Sequence, residues 1–373
     1  MITIEDLSVN FGRTEAVRHV SLEIPDGQIL GVVGESGSGK SVTALTLMGL
    51  VSEEATVTSG RILYDDVVLQ EAGKPRDKAL YRRYQGDCMS MVFQEPMTSL
   101  NPTQRVGRQV EEMLRLHSMP AYSRESVPGT GPTAQGEACF PDHSTEAARE
   151  GGLRFCRSKQ ERQAMKQLVL ETFAAVGLRE PERVYGCYPH QLSGGMRQRV
   201  MIAIALACNP NVLIADEPTT ALDVTIQAQI MDLMMDLKTK MNTAIILVTH
   251  DLGVVANFAD RIQVMYAGEV VERGTTKEIF NESRHPYTWA LLRSVPRLGS
   301  ESKKELYALG GTPPDLLLPL NHCPFADRCE YCMPICKECK PKETALSDTH
   351  KVSCWLMHEK APKVESFYDR REK

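Results

Sequence analysis

A glycine-rich run near the N-terminus has residue types and spacing that suit phosphate binding. Residues 34–41 read Gly-Glu-Ser-Gly-Ser-Gly-Lys-Ser, which matches G-x-x-x-x-G-K-S, the phosphate-binding loop of nucleotide hydrolases. Glycines let successive backbone N–H groups turn toward phosphate oxygens, and a following helix presents its positive end to the same charge. The Lys40 ammonium would reach the β- and γ-phosphates, and the Ser41 hydroxyl would bind Mg²⁺. The predicted nucleotide contacts from this run are Gly34, Ser36, Gly37, Ser38, Gly39, Lys40 and Ser41. The alternative is a glycine-rich turn before an ordinary helix.

Two carboxylates follow another apolar run. Val212 to Ala215 is apolar on both faces, as in a central parallel strand, and Asp216 and Glu217 come directly after it. Ligands of open parallel sheets bind at this end of the strands. Asp216 is therefore the predicted partner of Mg²⁺, and Glu217 the residue that orients and deprotonates an attacking water. An acidic turn without chemistry is the alternative, because an Asp-Glu pair alone is a weak signal.

A third motif lies between the loop and the carboxylates. Residues 192–199 read Leu-Ser-Gly-Gly-Met-Arg-Gln-Arg. Ser193, Gly194 and Gly195 can open a helix at Met196 and offer a hydroxyl, N–H groups and a positive helix end to a γ-phosphate. This run resembles the LSGGQ signature of ABC-type ATPases, with Met196 where Gln is usual. The resemblance implies that this surface meets the nucleotide held on a second ATPase subunit, so that two chains build each site.

The resemblance covers residues 1 to about 275 and implies roles for further positions. Phe11 stands where an aromatic ring, more commonly Tyr, stacks on adenine. Gln94 resembles the glutamine that touches Mg²⁺ and water and senses the membrane partner, and His250 resembles the switch histidine that contacts the γ-phosphate. Ala221-Leu222-Asp223 resembles the loop that crosses between the subunits. The resemblance thus implies an active ATPase.

Other runs resemble the ATPase subunits of oligopeptide and dipeptide importers. They are residues 94–102, His285-Pro-Tyr-Thr288, Gly311-Thr-Pro-Pro314 and Cys323-Pro-Phe-Ala-Asp-Arg-Cys329. Importers of nickel, glutathione and other solutes share much of this pattern. The resemblance implies a second ATPase subunit, a related but different chain, together with two transmembrane permease subunits and an extracytoplasmic substrate-binding protein. It also implies a peripheral location on the cytoplasmic face of the cell membrane.

Six of the eleven cysteines crowd into one C-terminal stretch, at Cys323, Cys329, Cys332, Cys336, Cys339 and Cys354. The chain starts in a strand-like pattern without a secretory signal, and clustered cysteines in such a chain indicate a metal rather than disulfides. The importer family can hold a [4Fe–4S] cluster here, and the resemblance assigns it to Cys323, Cys329, Cys336 and Cys354. The rival set, Cys329-x-x-Cys332 with Cys336-x-x-Cys339, has the form of paired zinc knuckles. Only three residues separate those two pairs, so the cluster is favoured and zinc is the alternative.

The elements that must position these groups alternate between strands and helices. Ile29 to Val33 predicts a buried strand and Val42 to Leu50 a helix. Ile226 to Met241 predicts a second helix, and Ile245 to Val248 another buried strand. Such alternation around a phosphate-binding loop predicts an α/β fold with a mostly parallel sheet.

Other segments are predicted to flank this core. Ile2 to Ile24 and Arg61 to Leu69 alternate apolar and polar residues and predict antiparallel strands, the second pair turning at Asp65-Asp66. Gly107 to Leu116 and the apolar residues from Met165 to Val176 predict helices. Residues 119–159 are poor in apolar residues and rich in Pro, Gly and Ser, which predicts a long flexible insertion.

We therefore predict two domains in the 373 residues. Residues 1–275 form an ABC ATPase domain with a parallel-sheet core, an antiparallel β subdomain and a helical signature subdomain over about 100–195. Residues 276–373 form a C-terminal extension that contains the cysteine cluster 323–354. The net charge of −5 gives no sign of a nucleic-acid partner, and no apolar run approaches the ~18–20 residues of a membrane span.

Two other classes of protein fit these motifs less well. A soluble ABC ATPase of DNA repair or translation would carry a long heptad insertion or a second ATPase unit, whereas the insertion here is rich in Pro and Gly and cannot coil. A phosphate-loop kinase or GTPase would have no use for residues 192–199.

Overall fold

The computed structural model describes residues 1–117, 159–220, 223–295, 309–318 and 320–365. In these ranges the strands are β1 Ile2–Phe11, β2 Thr14–Ile24, β3 Ile29–Val33, β4 Ala55–Tyr64, β5 Val67–Glu71, β6 Met89–Val92, β7 Val212–Asp216, β8 Ala244–Thr249, β9 Arg261–Tyr266, β10 Glu269–Thr275, β11 Thr344–Ala345 and β12 Lys351–Val352. The α-helices there are α1 Lys40–Leu47, α2 Lys78–Tyr84, α3 Pro96–Ser99, α4 Val106–His117, α5 Lys159–Ala175, α6 Pro181–Gly186, α7 Gly194–Leu206, α8 Val224–Met241, α9 Leu252–Phe258, α10 Thr276–Glu282, α11 Pro286–Ser294 and α12 Pro334–Glu338. The chain divides into two compact units, Met1–Gln94 with Pro210–Lys373, and Glu95–Asn209.

Two sheets build the first unit. The larger sheet has the strand order β11-β12-β10-β9-β3-β8-β7-β6. Its strands from β9 to β6 run parallel, whereas β10, β12 and β11 continue the sheet antiparallel. The smaller sheet is antiparallel, with the order β2-β1-β4-β5. The predicted fold class, a mostly parallel core with an antiparallel β subdomain, is confirmed.

The central strands of the larger sheet are buried on both faces. Every residue of β3, β7 and β8 is buried, which explains why their sequences are continuous apolar runs. Leu30, Ile214 and Ile246 belong to one hydrophobic cluster that also contains apolar side chains of the smaller sheet. In the parallel register Val33 lies beside Thr249, and Asp216 beside Val248. The loops that follow these three strands therefore begin at the same edge of the sheet.

The second unit contains helices α3 to α7 in its described residues. Val169 and Phe173 of α5 are buried with Val200 of α7. Ser193 caps α7, and its hydroxyl accepts a hydrogen bond from the Met196 N–H at 3.4 Å. The prediction that the helix opens at Met196 was wrong by two residues: α7 begins at Gly194. An N-cap hydroxyl bonds the N–H of the second or third helical residue, so Met196 lies within the first turn.

The C-terminal segment continues the larger sheet, because β12 pairs with β10 and β11 pairs with β12. The fully buried Glu272 carboxylate accepts hydrogen bonds from the N–H groups of Arg284 and His285 and lies 2.9 Å from His350 Nε2. A buried carboxylate needs such partners, since its desolvation otherwise costs several kcal/mol. These contacts fix the C-terminal segment against the strands that flank the phosphate-binding loop.

Most of the elements predicted from apolar spacing are confirmed. The strand predicted at Ile29–Val33 is β3, and the helix predicted at Ile226–Met241 lies within α8. The helix predicted at Val42–Leu50 instead spans Lys40–Leu47, and it ends before Gly49, whose φ is +66°, because a left-handed glycine is a common helix stop. The predicted insertion 119–159 lies outside the described residues, except for Lys159 at the start of α5.

Within the described ranges, no helix combines the length and the apolar character required to cross a bilayer.

Glu278 of α10 should make folding stability depend on pH. Its carboxylate accepts hydrogen bonds from Ser347, Thr349 and the N–H of Thr275. Burial opposes ionisation, but these bonds together lower the pKa of Glu278 from 4.5 to about 2. Because the pKa is lower in the folded chain, the stabilisation is complete above pH 4.5 and is lost as the pH falls toward 2.

We therefore expect Glu278→Gln to lower the free energy of unfolding at pH 7, and the difference from the wild type to shrink below pH 4.5. Urea unfolding at a series of pH values measures this difference. Glu282→Gln, at an exposed position of the same helix, is the control. If the loss of unfolding free energy in Glu278→Gln stayed constant from pH 7 down to the lowest pH measured, the lowered pKa of Glu278 would be contradicted.

Candidate active site

The phosphate-binding loop between β3 and α1 is closed around the Lys40 side chain. Lys40 is the first residue of α1 and is only 5% exposed. Its Nζ donates to the carbonyl oxygens of Gly34 and Glu35, each at 2.8 Å, and lies 3.3 Å from Ser38 Oγ. The loop is thus held as a ring around a buried cation.

The backbone of this loop requires glycine at specific places. Gly39 has φ +94°, and a Cβ there would lie 2.7 Å from the Ala16 carbonyl oxygen. A Cβ on Gly34 would lie 2.1 Å from the Met265 carbonyl oxygen. Gly37 has φ +78°, but no atom lies within 4 Å of its Cβ position, and the neighbouring Ser36 is exposed. The loop is therefore tight at its ends and open at its tip.

Ser41 and Asp216, the predicted magnesium ligands, lie side by side. The Ser41 hydroxyl donates to Asp216 Oδ1 at 3.0 Å. Hydroxyl and carboxylate oxygens suit Mg²⁺, which is commonly held by one or two carboxylates with water and substrate phosphates completing its shell. Among the residues that the structure describes, no group of three His, Cys, Asp or Glu side chains could hold a metal ion.

Glu217 follows Asp216 and collects hydrogen bonds from two neighbouring strand ends. Gln94 Nε2, after β6, donates to Glu217 Oε2 at 2.9 Å, and His250 Nδ1, after β8, lies 3.2 Å from Oε1. The hydroxyl of Thr220 also donates to Oε2, at 2.9 Å. Glu217 takes a left-handed backbone, φ +46°, which is uncommon for a residue other than glycine, and its N–H is held by the Val248 carbonyl oxygen at 2.8 Å. Three residues predicted separately, Gln94, Glu217 and His250, are thereby brought together.

Burial and hydrogen bonding give the charged groups of the site different proton affinities. Burial lowers the pKa of Lys40, although the charges of Glu217, Asp216 and Glu35 oppose this. Burial raises the pKa of Asp216 despite the bond from Ser41. Burial acts in the same direction on Glu217, but the hydrogen bonds from His250 and Thr220 lower its pKa overall. Glu217 is therefore stabilised as an anion by its neighbours, whereas Asp216 would gain from a nearby cation.

The other predicted nucleotide contacts lie elsewhere in the chain. Phe11 ends β1 and is partly buried. Asp223 caps α8, with its carboxylate accepting the N–H of Ile226 at 2.9 Å, while Ala221 and Leu222 lie outside the described residues. Ser193, Gly194 and Gly195 form the N-terminal end of α7 in the second unit, where first-turn N–H groups can receive an anion.

Two contacts to the phosphate-binding loop come from the predicted C-terminal extension, and the sequence analysis missed both. The Tyr287 hydroxyl accepts a hydrogen bond from the Glu35 N–H at 2.9 Å. The Arg328 guanidinium donates two hydrogen bonds to the Glu35 carboxylate, at 2.6 and 3.0 Å. The available signals were the His285–Thr288 and Cys323–Cys329 runs, which had been used only as marks of a family.

Four of the six clustered cysteines lie near one another. Cys323 and Cys336 are buried, and the Cys323 N–H donates to the Cys336 carbonyl oxygen at 3.0 Å. Burial, together with the charges of Cys323, Cys329 and Cys336, raises the pKa of the Cys354 thiol to about 12. Burial likewise raises the pKa of Cys323 to about 12 and of Cys329 to about 11. This is the first predicted set of four thiols.

The rival zinc set gains no support. Cys339 is exposed, and a zinc site needs four ligands around one ion. The described residues hold no group of three His, Cys, Asp or Glu side chains placed for a single metal ion, and this finding applies to both predicted cysteine sets.

The fold and the site define a phosphate-loop ATPase of the cassette type, because a phosphate-binding loop, a capped signature helix and a strand-end carboxylate pair follow one another along the chain. A family model for the ABC transporter matches residues 17–220, and one for the C-terminal region of oligopeptide/dipeptide transporters matches residues 271–336. The chain belongs to the ABC transporter family, as an ATPase that carries this C-terminal region.

Similar proteins span nearly the whole chain. The oligopeptide transport ATP-binding protein OppD of Bacillus subtilis is 44% identical over 370 residues, which cover 98% of this chain and 91% of the relative. The dipeptide transport ATP-binding protein DppD of the same species is 43% identical, covering 97% and 96% of the two chains. A solved dimeric structure of a bacterial ABC transporter cassette is 27% identical with a TM-score of 0.55, over 74% of this chain and 99% of that one.

Gly39→Ala should destabilise the chain more than Gly37→Ala, which serves as its matched control. Both residues have positive φ, +94° and +78°, but only the Cβ at position 39 would meet a backbone atom, 2.7 Å away. Left-handed backbone costs an ordinary residue about 1–2 kcal/mol, so we expect a loss of that size for Gly37→Ala and a larger one for Gly39→Ala. Thermal unfolding of the nucleotide-free chain measures both, and equal shifts would contradict the geometry.

Proposed function

We propose that the chain is the ATP-hydrolysing motor subunit of a membrane importer of di- or oligopeptides. The observation that carries the proposal is the hydrogen-bonded group of Gln94, Glu217 and His250 at adjacent strand ends, on the same sheet edge as the Lys40 loop. The relatives OppD and DppD, which match this chain almost end to end, act in oligopeptide and dipeptide transport. The cargo class is inferred from these relatives.

The phosphate-binding loop is the proposed cradle of the triphosphate. Backbone N–H groups of the loop from Gly34 to Gly39, except that of Glu35, which donates to Tyr287, would face the phosphates together with the Ser36 and Ser38 residues. The Lys40 ammonium would exchange its carbonyl partners for β- and γ-phosphate oxygens, and Phe11 would stack on the adenine. Ser41, Asp216 and Gln94 would hold Mg²⁺, which neutralises charge on the phosphates.

Glu217 is the proposed general base. Hydrogen bonds that outweigh burial lower the pKa of Glu217, which stabilises the ionised carboxylate but also makes it a weaker base. The carboxylate would orient the attacking water and accept its proton as the water attacks. Gln94 and His250 hold the two carboxylate oxygens at fixed positions. His250 would also contact the γ-phosphate. Its side chain is 60% exposed, so it has room to turn from Glu217 toward the nucleotide.

A second ATPase subunit is proposed to complete each site. Ser193, Gly194 and Gly195 would contact the γ-phosphate held on the other subunit, and Asp223 would lie in the crossing loop. The cap at Ser193 and the 13-residue helix α7 behind it supply the positive helix end that this contact needs. One similar solved structure, 26% identical with a TM-score of 0.53, is a dimeric ATP-binding cassette with ADP and phosphate bound.

The same proposal names the other partners of the chain. The partner ATPase is a related but different chain, and the pair acts on two transmembrane permease subunits. An extracytoplasmic binding protein delivers the substrate to these permease subunits. The chain then works on the cytoplasmic face of the membrane, and Gln94 lies next to the surface that meets the permease.

We further propose that Cys323, Cys329, Cys336 and Cys354 hold a [4Fe–4S] cluster. A cluster binds one thiolate at each iron, so its ligands surround a cage and need not converge on one ion. The charges of these thiols raise one another's pKa, so the thiols lie close together, which supports these four as the ligands. Ligand thiols are deprotonated when bound, and the raised pKa values mean that the thiolates depend on that binding.

Glu217→Gln should reduce ATP turnover by roughly 10²–10⁴-fold while ATP still binds, because the amide keeps the size of the side chain but cannot accept the proton. The measurement is ATP hydrolysis and peptide uptake by the transporter reconstituted in vesicles, beside the affinity of the chain for ATP. Glu182→Gln, at an exposed position of α6, is the control. Normal hydrolysis by Glu217→Gln would refute the base assignment, and uptake of no peptide by the wild type would refute the cargo.

Anaerobic purification of the chain should yield brown protein with about four iron and four sulfide per chain, the content of one such cluster. Cys354→Ser should lose both, because it removes one of the four ligands. Cys339→Ser, which changes an exposed thiol outside the set, should keep them. Colourless protein with stoichiometric zinc would overturn the cluster.

A further inference from the structure

Arg328 reaches the phosphate-binding loop from the C-terminal extension. It is the last residue of the short 3₁₀ helix Ala326–Arg328, directly before Cys329. Its Nη1 and Nη2 donate to the two carboxylate oxygens of Glu35, at 2.6 and 3.0 Å. Such a two-bond contact fixes orientation as well as distance. The Arg328 side chain is 5% exposed and that of Glu35 28% exposed, so the pair is largely shielded from water.

The guanidinium is held in place independently of Glu35. Arg328 Nε donates to the Gly310 carbonyl oxygen at 2.9 Å, and Nη1 donates to the Tyr266 hydroxyl at 3.2 Å. The guanidinium carbon also lies 5.7 Å from the centre of the Tyr266 ring, within the range of a cation–π contact. Arg328 is therefore anchored to β9 and to the C-terminal segment, and it presents a fixed pair of donors to the loop.

Glu35 is the second residue of the loop that surrounds Lys40. Its carbonyl oxygen accepts the Lys40 ammonium at 2.8 Å, and its N–H is taken by Tyr287. Backbone and side chain of this one residue are thus all engaged. A carboxylate at this place would repel a triphosphate, since like charges interact strongly where water is excluded. The Arg328 guanidinium cancels that charge.

We propose that Arg328 is a positioning residue of the nucleotide site, which acts through Glu35 to neutralise the phosphate-binding loop and hold it in shape. The inference rests on the proposed function in one respect, namely that this loop binds ATP. Its consequence is that nucleotide affinity depends on the C-terminal segment around Cys329, although that segment contributes no group to the reacting atoms.

The size of the pair's contribution follows from its burial. Exposed ion pairs contribute little, but removal of one partner from a shielded pair leaves the other charge uncompensated. Arg328→Met would leave the Glu35 carboxylate without its partner beside the phosphates. Glu35→Gln would remove the repulsive charge instead, so the two changes together should restore what Arg328→Met alone loses.

The test compares the affinity of the full chain for Mg²⁺ with a non-hydrolysable ATP analogue, by calorimetric titration. We expect Arg328→Met to raise the dissociation constant about tenfold, within the range usual for coupled sites, and Arg328→Met with Glu35→Gln to bring it back to within about threefold of the wild type. Arg328→Lys, which keeps the charge but not the two parallel bonds, should give an intermediate value. The control is Arg293→Met, which removes the more exposed Arg293–Glu330 pair from the same region and should leave the dissociation constant unchanged.

Each outcome decides the matter. Arg328→Met with wild-type affinity overturns the proposal, and so does a loss that Glu35→Gln fails to restore, because a general packing defect would not be repaired by a change in charge at position 35. If Arg328→Met does not fold, Arg328→Lys replaces it in the test, and a wild-type dissociation constant for Arg328→Lys overturns the proposal. Failure of the wild-type chain to bind the analogue would instead contradict the proposed function.

Discussion

Burial of the Lys40 ammonium is the constraint on which the site depends. The side chain is 5% exposed, and its charge is met by two backbone carbonyl oxygens rather than by water. A buried cation is costly unless negative groups surround it. The carboxylates of Glu217 and Asp216 supply most of that charge, and Glu35, which is paired with Arg328, supplies the least of the three. The same arrangement suits the loop to phosphate binding. Phosphate oxygens can replace the carbonyl oxygens of Gly34 and Glu35 beside the Lys40 ammonium, so the cation need not move into water.

The larger sheet brings groups to this cation from two directions. At the carboxyl ends of its parallel strands, β3 leads into the phosphate-binding loop. In the same way β6 leads to Gln94, β7 to Glu217 and β8 to His250. On its antiparallel side, β10 and β12 hold the C-terminal segment, which sends Tyr287 and Arg328 to Glu35. Glu35, an unspecified position of the loop motif, is therefore one of the points where the extension contacts the ATPase core.

The sequence predicted the parts of this structure that depend on local pattern. The strand–loop–helix unit around Lys40 and the buried strand before Asp216 follow from apolar runs and glycine spacing, so both were found. The predicted helix start at Met196 was misplaced by two residues, because Ser193 is the N-cap and the two glycines after it are already helical. Contacts made across long separations, such as Arg328 with Glu35, 293 positions apart, leave no periodic signal in one sequence. The left-handed backbone of Glu217 also gave no sequence signal; in the structure its N–H bonds the Val248 carbonyl oxygen of the neighbouring strand.

In the proposed function, the signature helix of another subunit completes the ATP site on each ATPase chain. The most direct measurement is ATP binding and ATP hydrolysis by Ser193→Arg chains, alone and assembled with the partner ATPase subunit. Ser193→Arg chains alone should bind ATP with wild-type affinity, because the Lys40 loop of the same molecule is intact. The assembled Ser193→Arg pair should hydrolyse less ATP than the wild-type pair, because the nucleotide held on the partner lacks its opposite helix. Wild-type hydrolysis by the assembled Ser193→Arg pair would contradict the account.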